Sequence, residues 1–218
     1  MQGLAKAFSF PFKDPDWIRK FLVGGLFVLL SALIIGIFIL AGYCVRVTQR
    51  VMRGEANPLP EWDDIGGKFV AGFKFCVVLA AYSVPIFLVV IPFLVLGILG
   101  ENLGAGGGSG ILRGFAAMFI MLLALPYALL FTVFAPVIAG KFAERESIAD
   151  ALDVADVFRR FGRNWENSLV AALLIAGIQS LAGAGIVLFF VGVVFTVFYS
   201  YLVSAHLAGL LLAPEGAV

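Results

Sequence analysis

A single histidine and two cysteines are all that this chain offers toward metal or thiol chemistry. One His cannot build a His-rich metal site, and Cys44 and Cys76 form no C-x-x-C pair. No cofactor is expected. Nucleophile-elbow, Walker and zincin signatures are missing. The glycine-rich stretch GENLGAGGGSGILR is no phosphate loop either, because no Gly-Lys-Ser/Thr follows it and no strand pattern precedes it. The chain therefore reads as non-enzymatic. A net charge of +1 supplies no basic excess to neutralise phosphates, which excludes nucleic acid as a partner.

Charge itself is absent from long stretches. No Asp, Glu, Lys or Arg occurs in the 25 residues between Lys20 and Arg46, the 26 between Lys74 and Glu101, the 27 between Arg113 and Lys141, or the 48 between Glu166 and Glu215. About 20 apolar residues in a helix cross the hydrocarbon core of a bilayer. The first three windows each supply one crossing and the fourth supplies two with a turn at Gly183, Ala184 and Gly185. In lipid only helices and closed barrels satisfy their own backbone, and the runs lack the dyad alternation of a barrel strand. The expected fold is an all-α polytopic membrane helix bundle forming a single integral membrane domain. It has about five transmembrane helices, at about 21–45, 75–100, 114–140, 164–182 and 186–212. Composition agrees: mean hydropathy is +1.06 and charged residues make up 13%, against roughly 25% in soluble domains.

What charge there is gathers in two joints, 46–74 and 141–163. Ahead of the first lies a tail, 1–20, whose Phe8, Phe10, Phe12 and Trp17 suit the headgroup layer; Asp14 or Asp16 is placed to cap the helix that follows. The run after it is too long for the apolar region of a signal peptide. Within 21–45, Ala32 and Gly36 stand four apart, a spacing that lets helices approach closely. Arg46, Arg50 and Arg53 share one helix face, and Gly54 then ends the helix. Asn57, Pro58 and Pro60 force a turn before Trp62, and Asp63 or Asp64 caps the next helix. In the second joint Ser147 and Asp150 form a capping-box pattern. Val154, Phe158, Phe161 and Trp165 recur on one side of a helix, with Asp153, Asp156, Arg160 and Arg163 on the other, and the helix ends near Gly162. The reading is of two interfacial amphipathic helices, one in each joint.

FSFPFKDPDW near the start, then GYCVRVTQRVMRGE and LPEWDDIGGKFVAGFK, and more loosely AERESIADAL and SAHLAGL, resemble an uncharacterised family of prokaryotic multi-pass membrane proteins, the domain of unknown function numbered 4013. The resemblance implies a polytopic helical fold and carries no activity.

Inside the windows the polar inventory is short. Pro85, Pro92, Pro126 and Pro136 bend their helices. Gln179 and Ser180, with Thr196, Tyr199, Ser200, Tyr201, Ser204 and His206, form the polar group at membrane depth; Gln179, Tyr199, Ser200 and His206 are its candidate site residues. Inter-helix hydrogen bonds are the ordinary use of such groups. Orientation follows from Lys and Arg: five in each joint and one, Arg113, in the connector after the second window place both joints in the cytoplasm. Two readings of 21–45 then compete. A crossing puts the tail, with Lys6, Lys13, Arg19 and Lys20, outside; a re-entrant segment broken near Ser31 returns it to the cytoplasm. The function expected is that of a subunit or organiser of a membrane assembly in the cell membrane. Its contacts with anionic headgroups, a membrane-protein partner or another copy of itself would run through Arg46, Arg50, Arg53, Trp62, Arg159, Arg160, Arg163 and Trp165. The alternative is a channel or carrier for a neutral or apolar solute.

Overall fold

A computed structural model describes residues 2–102, 108–184 and 189–213. Every regular element among them is helical: α1 (Gln2–Ser9), α2 (Trp17–Leu30), α3 (Ile35–Met52), α4 (Ile65–Asn102), α5 (Gly108–Arg145), α6 (Ile148–Ala151), α7 (Val154–Arg163), α8 (Trp165–Ala184) and α9 (Phe189–Leu212). Short 3-10 turns at Phe10–Lys13 and Ser31–Leu33 flank α2. The fold is an all-α polytopic helix bundle. Four stretches among the described residues are long and apolar enough to cross a membrane: Ile35–Met52, Ile65–Val95, Gly114–Arg145 and Gly192–Leu212. The turn expected at Gly183, Ala184 and Gly185 runs into 185–188, and the glycine-rich connector into 103–107; both of these segments lie outside the described residues.

Two compact units divide the chain, Met1–Val78 with Val133–Val218, and Leu79–Thr132. In the larger unit, the stretch from 21 to 45 is not one continuous span. The helix stops at Leu30, passes through the Ser31–Leu33 turn, and restarts at Ile35. Ile34, at the break, holds φ 66°, a region that branched side chains seldom adopt. Gly36 has a different role from the helix-packing one its spacing suggests: a Cβ there would strike the Phe27 and Leu30 backbone, so its hydrogen closes the turn. Ala32, its presumed partner, is exposed. The two limbs run antiparallel, because Lys20 and Arg50 at their far ends both donate to the Leu59 carbonyl, at 3.3 and 3.1 Å.

Helix α9 is the post around which this unit packs. Phe198, fully buried, fills the space over Gly24, where any Cβ would meet its ring. Thr48 Oγ1 donates to the Ala205 carbonyl at 3.0 Å, and Gly209 lets α9 pass Val51. Successive contacts at 44 with 201, 48 with 205 and 51 with 209 set α3 and α9 parallel. Helix α4 crosses the other flank of α3 at backbone distance, with Gly42 against the Lys68 carbonyl and Gly72 against that of Phe38. With no Cβ on either glycine the two backbones touch, the approach small residues allow in helix pairs. Trp62 wedges the hairpin, stacked on Tyr43 at 4.2 Å and on Phe27 at 4.9 Å.

The caps expected at Asp64 and Ser147 form, a further one forms at Asp153, and the one expected at Asp16 does not. Asp64 Oδ1 accepts from the Gly67 N–H at the start of α4, Ser147 caps α6 through Asp150 N–H, and Asp153 caps α7 through Asp156 N–H. Gly54, at φ 68°, ends α3 as the left-handed residue after it, with Glu55 N–H reaching back to the Arg50 carbonyl. Asp16 precedes α2 without a side-chain cap bond, since the Asp14 carboxylate is drawn to Lys20 and to the Asp16 N–H.

In the smaller unit the apolar halves of α4 and α5 pair through Phe93 stacked on Phe119 at 5.4 Å and through the Tyr127 hydroxyl donating to the Tyr82 carbonyl. Leu88, Ile91, Met121 and Leu122 point outward, more than half exposed. A helix pair this apolar outside matches a hydrocarbon solvent better than water.

Candidate functional site

The charged joints of the larger unit are held by three ionic groups. At the base of the hairpin, Lys20 is almost wholly buried, and its ammonium lies 2.7 Å from Asp14, 2.7 Å from Glu61 and 3.3 Å from the Leu59 carbonyl. Burial works against its charge, and the two carboxylates more than offset that, so its pKa stands above the usual lysine range. Arg19 adds a looser pair to Glu61 at 3.3 Å. A second group joins the joints to each other: Glu146 accepts from Arg46 and, at 2.8 Å, from Gln49, whose amide also donates to the Ala143 carbonyl at 2.9 Å. In the third, buried Lys141 lies 3.0 Å from Asp156 and donates to the Asp153 carbonyl at 2.9 Å, while Arg160 binds Asp156 at 2.8 Å and also Glu144. Hydrogen bonding from Lys141 first, then Arg160, holds the Asp156 carboxyl below the usual range; Glu144, then Asp156, holds Arg160 above its own.

These groups sort the eight joint residues singled out from sequence. Arg46 and Arg160 are committed to carboxylates within the fold, and Arg50 to the Leu59 carbonyl and to Glu55 at 3.6 Å. Trp62 is half-buried and packed against the core, its Nε1 donating to the Lys20 carbonyl at 3.0 Å. Arg53 and Arg159 are exposed, with only long pairs of 3.8 Å to Glu55 and 3.4 Å to Asp156. Arg163 and Trp165 are exposed, and Arg163 has no ion pair among the described residues. Helix α7 is not wholly open on its apolar side: Val157 is buried, and Phe158 and Phe161 each lie 4.7 Å from Phe134 of α5.

The polar residues of the last two helices do not converge. Ser200 Oγ donates to Gln179 Oε1 at 3.3 Å, an inter-helix bond of the expected kind. Tyr199 instead donates to the Phe8 carbonyl at 2.8 Å, and His206 stacks on Phe10 at 4.3 Å. Both fasten the N-terminal segment, where Ala7 is fully buried against Val203 and Leu207. Ser204 returns its hydroxyl to the Ser200 carbonyl of its own helix. Sequence reasoning missed Asp14, Lys20, Gln49, Lys141 and Glu146. Lys20 carried one signal, the carboxylate six positions earlier at Asp14, but the Arg46–Glu146 pair is separated by 100 positions and left no local trace. No group of His, Cys, Asp and Glu suited to holding a metal occurs among the described residues.

Helices long and apolar enough for a membrane, with internally paired charge within the larger unit, define a polytopic helical protein. The chain belongs to the DUF4013 family of proteins of unknown function, whose model matches residues 25–198. It is also 34% identical over 112 residues to uncharacterized protein MJ1189 of Methanocaldococcus jannaschii, a match covering 51% of this chain and 39% of that relative. No solved structure matches.

Proposed function

We propose that this protein is a non-enzymatic subunit or organiser of a membrane assembly, seated in the cell membrane with both charged joints in the cytoplasm. The observation that carries this reading is the division of labour among its cations. Lys20, Arg46, Lys141 and Arg160 are consumed by internal carboxylates, whereas Arg53, Arg145, Arg159 and Arg163 face outward with loose pairs or none. Paired charges fix the shape of the base; outward arginines remain for anionic headgroups or for a partner's carboxylates. Arginine's planar fork suits both. Each cation near an anionic surface contributes about 1 kcal/mol, so three of them amount to roughly a hundredfold in affinity.

The test uses purified protein in vesicles of phosphatidylethanolamine and phosphatidylglycerol. Native mass spectrometry is expected to find phosphatidylglycerol retained by the wild type and lost from Arg53→Glu/Arg159→Glu/Arg163→Glu, with flux of neutral solutes at the level of empty vesicles. Robust solute flux, or lipid retention unchanged by the triple substitution, defeats the reading in favour of a channel or carrier.

A further inference from the structure

We propose that the α2–α3 hairpin is a one-leaflet anchor. It enters and leaves the membrane on the side of the charged joints, and its outer face and tip dock on the acyl chains of that leaflet.

Three observations point to lipid as the occupant. Ile18, Leu22, Leu26, Leu29 and Leu33, three or four positions apart, are each between 54% and 66% exposed. They form one stripe along α2, which turns over the tip through Ile34 and Ile35, equally bare. The surface is apolar to its end, a chemistry that suits acyl chains. Length is the second observation. The 14 residues of α2 rise about 21 Å at roughly 1.5 Å each. That is too short for a hydrocarbon core of about 30 Å, and it matches half of a bilayer of about 40–45 Å with headgroups. Third, polarity is confined to the base: Lys20 and Arg50 meet there on the Leu59 carbonyl, with Asp14 and Glu61 beside them. Returning the chain to that side gathers Lys6, Lys13, Arg19 and Lys20 with the ten cations of the joints, as the distribution of Lys and Arg about membranes demands. The proposal stands whether or not the outward arginines bind lipid.

The experiment places single cysteines at Ser9, Asn57 and Leu33 in a Cys44→Ala/Cys76→Ala background, in vesicles of phosphatidylethanolamine and phosphatidylglycerol. An impermeant maleimide is expected to reach Ser9→Cys and Asn57→Cys from the same face. A spin label on Leu33→Cys is expected to relax strongly with oxygen and weakly with a water-soluble nickel chelate. Labelling of the two sites from opposite faces, or nickel access at the tip, overturns the proposal. So does dipolar broadening at position 33 that vanishes on dilution with unlabelled protein, because a second copy would then cover the stripe. Leu33→Trp in the otherwise native chain gives an independent reading: bromination of the acyl chains is expected to quench the added fluorescence, and no added quenching refutes the anchor.

Discussion

Replacing Lys20 with methionine removes the cation at the base of the hairpin and leaves the apolar stem in place. The Asp14 carboxylate, 5% exposed, then keeps only the Asp16 N–H at 2.9 Å. Glu61, 44% exposed, falls back on water and Arg19. Stranding one partner of a buried pair costs about 3–5 kcal/mol, whereas a half-solvated partner adds at most about 1 kcal/mol. The surviving Asp16 bond puts the expectation near the lower bound, about 3 kcal/mol. At roughly 2–4 °C per kcal/mol for a chain of this size, the midpoint falls by about 6–12 °C. Lys20→Met/Asp14→Asn strands no charge and is expected to lose less than Lys20→Met alone, giving a coupling of at least about 1 kcal/mol. Thermal unfolding in mild detergent, followed by circular dichroism, reads Lys20→Met, Asp14→Asn and the double variant. A shift below about 2 °C for Lys20→Met, or a double variant equal to the sum of the singles, refutes the reading of this group as a buried structural pair.

Alanine at Gly42 or Gly72 puts a Cβ into a carbonyl of the neighbouring helix, and overpacking of this kind costs about 1–3 kcal/mol. Gly162→Ala meets open space within α7 and is expected to gain up to about 1 kcal/mol; unfolding midpoints separate the two outcomes. Ile34→Gly relieves the left-handed break at φ 66° and is expected to stabilise by about 1 kcal/mol, while any clear loss contradicts the break. The pH profile has two limbs. The raised Lys20 pKa gives stability that is complete below the unfolded lysine value and is lost as pH climbs through the higher folded one. The lowered Asp156 pKa gives stability that is complete above the unfolded carboxyl value and is lost as pH falls through the lower folded one. Lys20→Met should weaken the alkaline limb and Asp156→Asn the acidic one, read as unfolding midpoint against pH.

The helices were legible because membrane solvent writes its demand into composition: stretches free of charge became α4, α5, α8 and α9. Local chemistry was equally readable, in the Ser147 and Asp64 caps and in Gly54 at the end of α3. The hairpin was harder. A break near Ser31 was one of two readings that so apolar a run as 21–45 allows, and what decides for it is the tertiary fit of Gly36 over Phe27 and of Phe198 over Gly24. Trp62 looked like a headgroup anchor because Trp favours both interfaces and cores; only the Tyr43 and Phe27 rings beside it decide which. The arginines were visible as a class and indistinguishable as individuals, because pairing of Arg46 with Glu146 depends on how the two joints meet.

Side-mapping of the joints bears most directly on the account, whose centre is that α4 and α5 carry the chain across a bilayer and back. In sealed vesicles of known orientation, with Cys44 and Cys76 replaced by alanine, an impermeant maleimide is expected to modify Asn57→Cys and Ala149→Cys from the same face and Gly110→Cys from the opposite face. Modification of the two joints from opposite faces, or of Gly110→Cys from the same face as both, would contradict it.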